Sequence, residues 1–433
     1  MGLLMLRVGV AKVDITPPIG TPMGGYGSRV DVARGIHDRL HARAMILSDG
    51  TEELAIVSMD LLYTTREMVE EARRLIREYV GISEDHVAIV ATHTHSGPGL
   101  DNVFGRLDEY CRLLPHHVLT SISLALESMR SARFGCGTGY VYGLTINRRD
   151  PLHGPLDEQL IVARFEDEER RLVGALVNFT CHAVVLGHTN LYISADYPGY
   201  VCEAIENIEN GVVLFLNGAC GDINPLVPST FVEKEKVYDR SKGTFEEARK
   251  MGYAIAGETL QVINKLRTVE DVKLVALSAK VSIRRAPIPS VTEEDIESLS
   301  RELEEALRKE DKAKAMAIKH SLVFKRWLLE ARKMFPKGYV DVELQVIRIG
   351  DLILALIPGE PLVRLGLKLK SLSPAKVTAV IGYANGYVGY IPTKEDMKEA
   401  GYETTPPACI LSEEAEDKIM NALLELIDRA LEV

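Results

Sequence analysis

Unbroken apolar runs, each closed by a cluster of turn-forming residues, recur along this chain. Val87-Ala88-Ile89-Val90-Ala91 leads into Thr92-His93-Thr94-His95-Ser96-Gly97-Pro98-Gly99. Leu172–Phe179 leads into Thr180-Cys181-His182, and Val212-Val213-Leu214-Phe215-Leu216 leads into Asn217-Gly218-Ala219-Cys220-Gly221-Asp222. Residues 352–357 lead into Pro358-Gly359-Glu360, and residues 377–382 into Tyr383-Ala384-Asn385-Gly386-Tyr387. Short β-rich runs of this kind, bounded by turn residues, predict strands buried on both faces. A first strand is expected over residues 6–13. Between the strands, apolar residues at helical spacing predict helices over Arg66–Tyr79 and residues 113–129, 198–206, 244–267 and 413–431. The charged stretch 292–333 reads as a pair of amphipathic helices with a solvated face, serving either as an insertion or lid or as plain surface helices. No internal repeat, low-complexity tract or Ser/Gly linker interrupts the pattern. The expectation is a single α/β domain over residues 1–433, with mixed β-sheets flanked by helices.

In α/β sheets, sites collect just beyond the carboxyl ends of strands. Here those ends supply His93, His95, His182, Asp222, Glu360 and the tyrosines 383, 387, 390 and 402. Side chains two apart on extended backbone share a face, so His93 and His95 are expected to point at one place. Two or three histidines with one glutamate form the ligand set of a catalytic zinc. The competing reading makes His93 and His95 a chance pair and His182 a satisfied core histidine. Glu360 is harder to explain as a surface residue, because it closes so apolar a strand. Arg148, within Asn147-Arg148-Arg149, is a candidate for pinning a polar or anionic part of a substrate, or for a surface ion pair. Asp196 is a candidate for the substrate site or for a partner of His182, or else it forms a turn.

Composition narrows the classes. A formal net charge of -11 excludes nucleic acid as the main partner, because phosphate binding needs a basic face. No apolar run approaches the length of a membrane span. Residues 1–8 do not have the order of a secretory signal. The six cysteines contain no C-x-x-C pair, which fits reduced thiols, and a cytoplasmic location is expected. Only Gln159, Gln261 and Gln345 are glutamines while 26% of residues are charged, a balance that points to a hot-growing host.

Several ordered motifs resemble the neutral (non-lysosomal) ceramidase family. They are Asp14-Ile15-Thr16-Pro17 with Met23-Gly24-Gly25-Tyr26, the segment 92–99, Ile193-Ser194-Ala195-Asp196-Tyr197-Pro198-Gly199-Tyr200 after His182, Pro358-Gly359-Glu360, and Tyr387-Val388-Gly389-Tyr390-Ile391-Pro392-Thr393. The resemblance covers that family's catalytic domain and not its Ig-like C-terminal domain. It implies a zinc site of His93, His182, Glu360 and Tyr390, with His95 as a substrate-facing donor and Tyr402 stabilising an oxyanion. Where ceramidases of the family carry a serine with a catalytic role, this chain has Asn224, in Gly221-Asp222-Ile223-Asn224-Pro225. An amide cannot act as an activated nucleophile, but it can hydrogen-bond substrate or orient water.

The expected function is a zinc-dependent hydrolase that cleaves an amide bond of a small N-acylated substrate, ceramide-like or smaller, through zinc-activated water. An esterase or lactonase using the same site, or a metal-binding relative without turnover, are the alternatives. Long-chain ceramide is expected to be a poorer substrate than shorter or more polar N-acyl compounds.

Overall fold

The computed structural model describes residues 5–229 and 243–433, and between them the backbone of Phe231–Val232 and Val237–Tyr238. Three sheets carry the architecture. The first runs in the order Val87–Ala91, Glu53–Met59, His41–Ser48, Arg7–Asp14, Arg130–Ser131. The second runs Val212–Asn217, Leu172–Phe179, Gln159–Glu166, Arg133–Tyr140. The third runs Leu274–Arg284, Tyr339–Ile349, Leu352–Leu356, Val377–Ile381.

Helices α1 (Arg66–Tyr79) and α2 (Asp108–Glu127) cover the first sheet. Helices α3 (Asp196–Glu209) and α4 (Phe245–Lys265) pack together on the second. A hairpin of α5 (Glu293–Arg308) and α6 (Lys312–Met334) precedes the long strand Tyr339–Ile349. Helices α7 (Val363–Leu372), α8 (Lys394–Glu399) and α9 (Ala415–Glu432) follow, with α7 and α9 against the third sheet. The expected α/β class with mixed sheets and flanking helices is what the chain adopts.

Each sheet contains one parallel pair among antiparallel neighbours. The pairs are Glu53–Met59 with Val87–Ala91, Leu172–Phe179 with Val212–Asn217, and Leu352–Leu356 with Val377–Ile381. These are the strands with unbroken apolar sequence, because a parallel pair buried on both faces has no solvent side to advertise. Where the three sheets meet they share one core, built from Val8, Ile56, Val90, Phe165, Leu176, Leu214, Leu354 and Ile381 among others. The long antiparallel pair Leu274–Arg284 and Tyr339–Ile349 lies outside the expectation drawn from the sequence. Polar Lys280, Ser282 and Arg284 alternate with its apolar residues, so no continuous run marks it.

The helices fall close to their expected places. Helix α2 starts earlier than residue 113 and takes Pro115 into its interior, with Asp108 and Glu109 complementing the dipole of its first turn. The stretch 292–333 is indeed two helices. Thr292 and Asp295 form a reciprocal capping box at the start of α5. The hairpin carries a satellite cluster of Ala306, Ala315 and Ile318, separate from the large cores, while Ala331 and Phe335 enter the core of the third sheet. All six cysteines are free. Among the described residues no helix is long and apolar enough to cross a membrane.

A buried ion pair ties the first sheet to helix α3. The Arg43 guanidinium donates to Asp60 at 2.7 Å and to Glu206 at 3.3 Å. Asp60 also accepts the His41 N–H at 2.9 Å, and both Arg43 and Asp60 are almost fully buried. Removing one partner of such a pair strands a charge in the core. Arg43→Met is expected to destabilise the fold by about 3–5 kcal/mol, read as a lowered denaturant midpoint at unchanged slope.

Candidate metal centre

The carboxyl ends of the three parallel pairs are laced together by backbone hydrogen bonds. Ala91 N–H donates to Tyr383 O at 3.1 Å, His95 N–H to Ala183 O at 3.2 Å and Gly382 N–H to Asn217 O at 3.0 Å. Gly221 N–H reaches Pro361 O at 2.9 Å, and Glu360 pairs in parallel register with Tyr390. Residues far apart in sequence are thus fixed around one point.

His93 is not extended. Its φ of 68° lies in the left-handed region, where a side chain other than glycine's is strained. The convergence of His93 and His95 was expected from strand alternation; it arises instead from this turn, with the two Nε2 atoms 3.1 Å apart. Gly25 makes room for the second ring: a Cβ there would stand 2.5 Å from the His95 imidazole, and the φ of Gly25 is 95°. Arg29, itself buried, donates to His95 O at 2.9 Å and to Gly24 O at 2.8 Å, locking the two loops.

The tautomers follow from the partners. His93 Nδ1 lies 2.6 Å from Leu62 O, and His182 Nδ1 lies 2.5 Å from Cys220 O. Each Nδ1 therefore carries a proton, and in the neutral ring the Nε2 is left with a lone pair. Burial pushes the His93 pKa down to about 3, so this ring is neutral. Yet the same Nε2 atoms face a carboxylate: Glu360 Oε2 is 3.5 Å from His93 Nε2 and 3.2 Å from His182 Nε2. Lone pairs facing a carboxylate in a buried site repel one another unless a cation stands between them. Donors about 2.0–2.1 Å from a shared tetrahedral centre stand roughly 3.3 Å apart, and the separations seen here match that edge. The residues present fit a metal ion. His93, His95 and His182 can each offer one nitrogen within 4.8 Å of the others.

Tyrosines hold the carboxylate. Tyr387 Oη donates to Glu360 Oε1 at 2.5 Å and Tyr383 Oη to Oε2 at 3.3 Å. Tyr383 also stacks on His93, with ring centroids 3.9 Å apart. Tyr390 is held differently: Arg148 Nη2 donates to its Oη at 3.0 Å. Burial pushes the Tyr390 phenol well up, while the Arg148 charge opposes that and favours phenolate. The resemblance placed Tyr390 among the ligands and His95 beside them. In the structure it is His95 that shares the histidine cluster, and Tyr390 adjoins it through its register with Glu360.

Two expectations change. Arg148 is neither a surface residue nor open to solvent. Besides Tyr390 it donates to Glu403 Oε1 at 2.7 Å and to Asn224 Oδ1 at 3.4 Å, which makes it an internal brace. Asp196 is fully buried, does not line the cavity, and spends its carboxylate on backbone amides. It accepts Leu186 N–H at 2.9 Å and Tyr197 N–H at 2.7 Å, and burial raises its pKa to about 7. It shapes the loop after His182, whose own Nδ1 is given to Cys220 and Ile223 carbonyls. Asn224 is fully buried beside Arg148, and its Nδ2 has no hydrogen-bond partner among the described residues.

The sequence reading passed over Glu403, which orients Arg148, and Tyr63, whose ring stacks on Tyr387 at 4.4 Å. Tyr63 had a signal, since it closes the apolar strand Glu53–Met59 as the other site residues close theirs. Glu403 had none. Asp222, noted only as a residue at a strand end, joins the Asn147–Arg148 segment to the start of α7. It accepts Asn147 Nδ2–H at 3.0 Å and Val363 N–H at 2.8 Å.

The cluster sits at one end of a cavity of about 950 Å³. His93, His95, Glu360, Tyr390 and Tyr402 line that end, and Leu62, Val103, Phe104 and Trp327 line the walls. Tyr402 is 45% exposed, within reach of any bound molecule.

Residues 6–250 match the sequence model of neutral/alkaline non-lysosomal ceramidase, N-terminal. The chain belongs to this family. The neutral ceramidase of Drosophila melanogaster is 24% identical over 92% of this chain and 71% of its own length. That of Mycobacterium tuberculosis is 26% identical over 92% of this chain and 73% of its own. The fold is shared with the crystal structure of neutral ceramidase from Pseudomonas aeruginosa, at a TM-score of 0.77 and 21% identity over 98% of this chain and 75% of that one.

If the histidines hold an ion, His93→Ala and His182→Ala proteins purify with less than about a tenth of the parent's bound metal and keep the parent's circular dichroism. Elemental analysis decides, and full metal in both variants rules out this centre.

Proposed function

We propose that this chain is a zinc-dependent hydrolase that cleaves the amide bond of an N-acylated, ceramide-like substrate. The family is one of hydrolases, and curated members are named neutral ceramidases. One solved relative of the same fold is described as a ceramidase complexed with C2. The observation that carries the zinc is the meeting of His93 and His182 lone pairs with the Glu360 carboxylate in a buried pocket. Bound there, zinc supplies a Lewis acid that lowers the pKa of water and polarises a carbonyl.

The chain's own residues do the rest. Glu360, steadied by Tyr383 and Tyr387, and the carbonyl-bound imidazoles of His93 and His182 form a rigid donor set. His95, only 7% exposed, lines the cavity and in this reading holds a proton beside the scissile carbonyl. Tyr402 offers a hydroxyl to a developing oxyanion. Arg148, braced by Glu403, donates to Tyr390 and holds that phenol at the cavity lining. Asn224 lies behind Arg148 and serves as a hydrogen-bonding residue rather than a nucleophile.

The same set would serve an ester, which keeps the esterase or lactonase reading as the second one. A single catalytic unit over residues 1–433, acting in the cytoplasm on a small-molecule substrate, belongs to the same proposal. The large, partly apolar cavity removes one ground for expecting long-chain substrates to be poor, since apolar lining can offset the cost of withdrawing a chain from a membrane.

Matched amides and esters, from N-acetyl to N-palmitoyl, test the assignment. Amides are expected to turn over with zinc and to stop on chelation. Asn224→Ala should lower kcat by about tenfold, the scale of one ordinary lost hydrogen bond, with no acyl adduct on the parent protein during turnover. Intact-protein mass spectrometry showing such an adduct would sink the reading of Asn224.

A further inference from the structure

Helix α6 presents one face to the cavity. Trp327, Glu330, Ala331 and Met334, with Phe335 just beyond the helix end, all line it. Their spacing of 3, 4, 7 and 8 residues from Trp327 is that of a single helical stripe. At 1.5 Å per residue the stripe is roughly 12 Å long. It begins beside the metal cluster: the Trp327 ring stacks on Tyr387 at 6.5 Å, and Tyr387 donates to Glu360. It ends at the mouth, where Met334 is 47% exposed. Leu62, Leu100, Val103, Phe104 and Leu114 add apolar lining, while Arg66, Glu67, Arg106 and Arg112 make other parts of the cavity charged. Glu330 is the one charged group in the stripe, and Lys333 pairs with it at 3.4 Å. Ala331 is its one small residue, a notch one turn from Trp327 and one turn from Phe335.

Away from this face the α5–α6 hairpin is held largely by its own parts. Its satellite cluster is separate from the large cores. Its cross-helix pairs, Lys325–Asp295 at 3.1 Å and Lys333–Glu293 at 2.7 Å, are solvent-exposed and contribute little. Its inner face is anchored differently: Ala331 and Phe335 join the core of the third sheet, and Trp327 packs against that core.

We propose that the α6 stripe of Trp327, Ala331, Met334 and Phe335 is the specificity-determining wall for the apolar chain of the substrate, and that side-chain size at Ala331 and Trp327 sets the chain length accepted. The occupant is a saturated acyl chain, because the stripe is continuous with the end of the cavity where the scissile carbonyl must lie. This rests on the N-acyl hydrolase reading, and its test separates the two.

Trp327 is the only tryptophan in the chain, so its emission reports the wall directly. Saturated fatty acids of 8, 12 and 16 carbons are titrated into the zinc-loaded full chain. A saturable change in emission is expected, with Kd falling at least tenfold from 8 to 12 carbons. Flat emission with all three acids overturns the proposal, whether or not any amide is hydrolysed. Loss of all N-acyl turnover with the emission change intact overturns the functional reading instead.

In kinetics the readout is the ratio of kcat/KM for N-palmitoyl over N-octanoyl substrate. Ala331→Leu is expected to lower it about tenfold, and Trp327→Ala to raise it several-fold, the scale of methylene-sized changes in an apolar pocket. Should Ala331→Leu fail to fold, Met334→Phe narrows the half-exposed mouth and should lower the ratio in the same sense. Ratios within twofold of the parent in the folded variants, or shifts of the opposite sign, overturn the assignment.

Discussion

The site depends on one electrostatic conflict. His93 and His182 each give their Nδ1 proton to a backbone carbonyl, which turns an unprotonated nitrogen toward Glu360. The carboxylate is acceptor-only as well, and both it and the His93 ring are almost fully buried. Two phenols donate to Glu360, Tyr387 to Oε1 and Tyr383 to Oε2, which steadies its orientation without supplying a counter-charge at the meeting point. A cation resolves the conflict, and the positive φ of His93 is the conformational cost of setting it up.

Three sheets are needed because no one strand end carries enough donors. His93 follows the parallel pair of the first sheet, His182 that of the second, and Glu360 with Tyr390 that of the third. The antiparallel strands widen each sheet and enlarge the shared core. The residues after the parallel pairs form the site, in keeping with where α/β sheets place their sites. Backbone bonds such as Gly382 N–H to Asn217 O then fix loops from different sheets against one another.

Much of this was legible in the sequence, and for a physical reason. Strands buried on both faces have no polar alternation, so Val87–Ala91, Leu172–Phe179 and Val212–Asn217 stand out, and the residues that close them are the site. Tyr383, Tyr387, Tyr390 and Tyr402 could be listed as polar candidates, but spacing alone could not sort a carboxylate partner from an arginine partner. Arg148 looked like a substrate clamp or a surface charge because its three partners, Tyr390, Asn224 and Glu403, lie 76 to 255 residues away. Asp196 drew attention by its motif, and its bonds to Leu186 and Tyr197 are local turn chemistry that conventional Asp preferences describe. The wall formed by α6 was hidden because charge on its outer face dominates the pattern.

The distribution of the ligands over three sheets has a consequence for how the protein matures. If these residues hold an ion, its full coordination requires all three sheets to be docked in register. Occupancy would then be an assembly checkpoint: a chain with one sheet slipped by a single residue would present the wrong face of a strand end and release the ion. Metal retention in such a protein inspects the tertiary structure as a whole, from a point that touches only a few of its side chains.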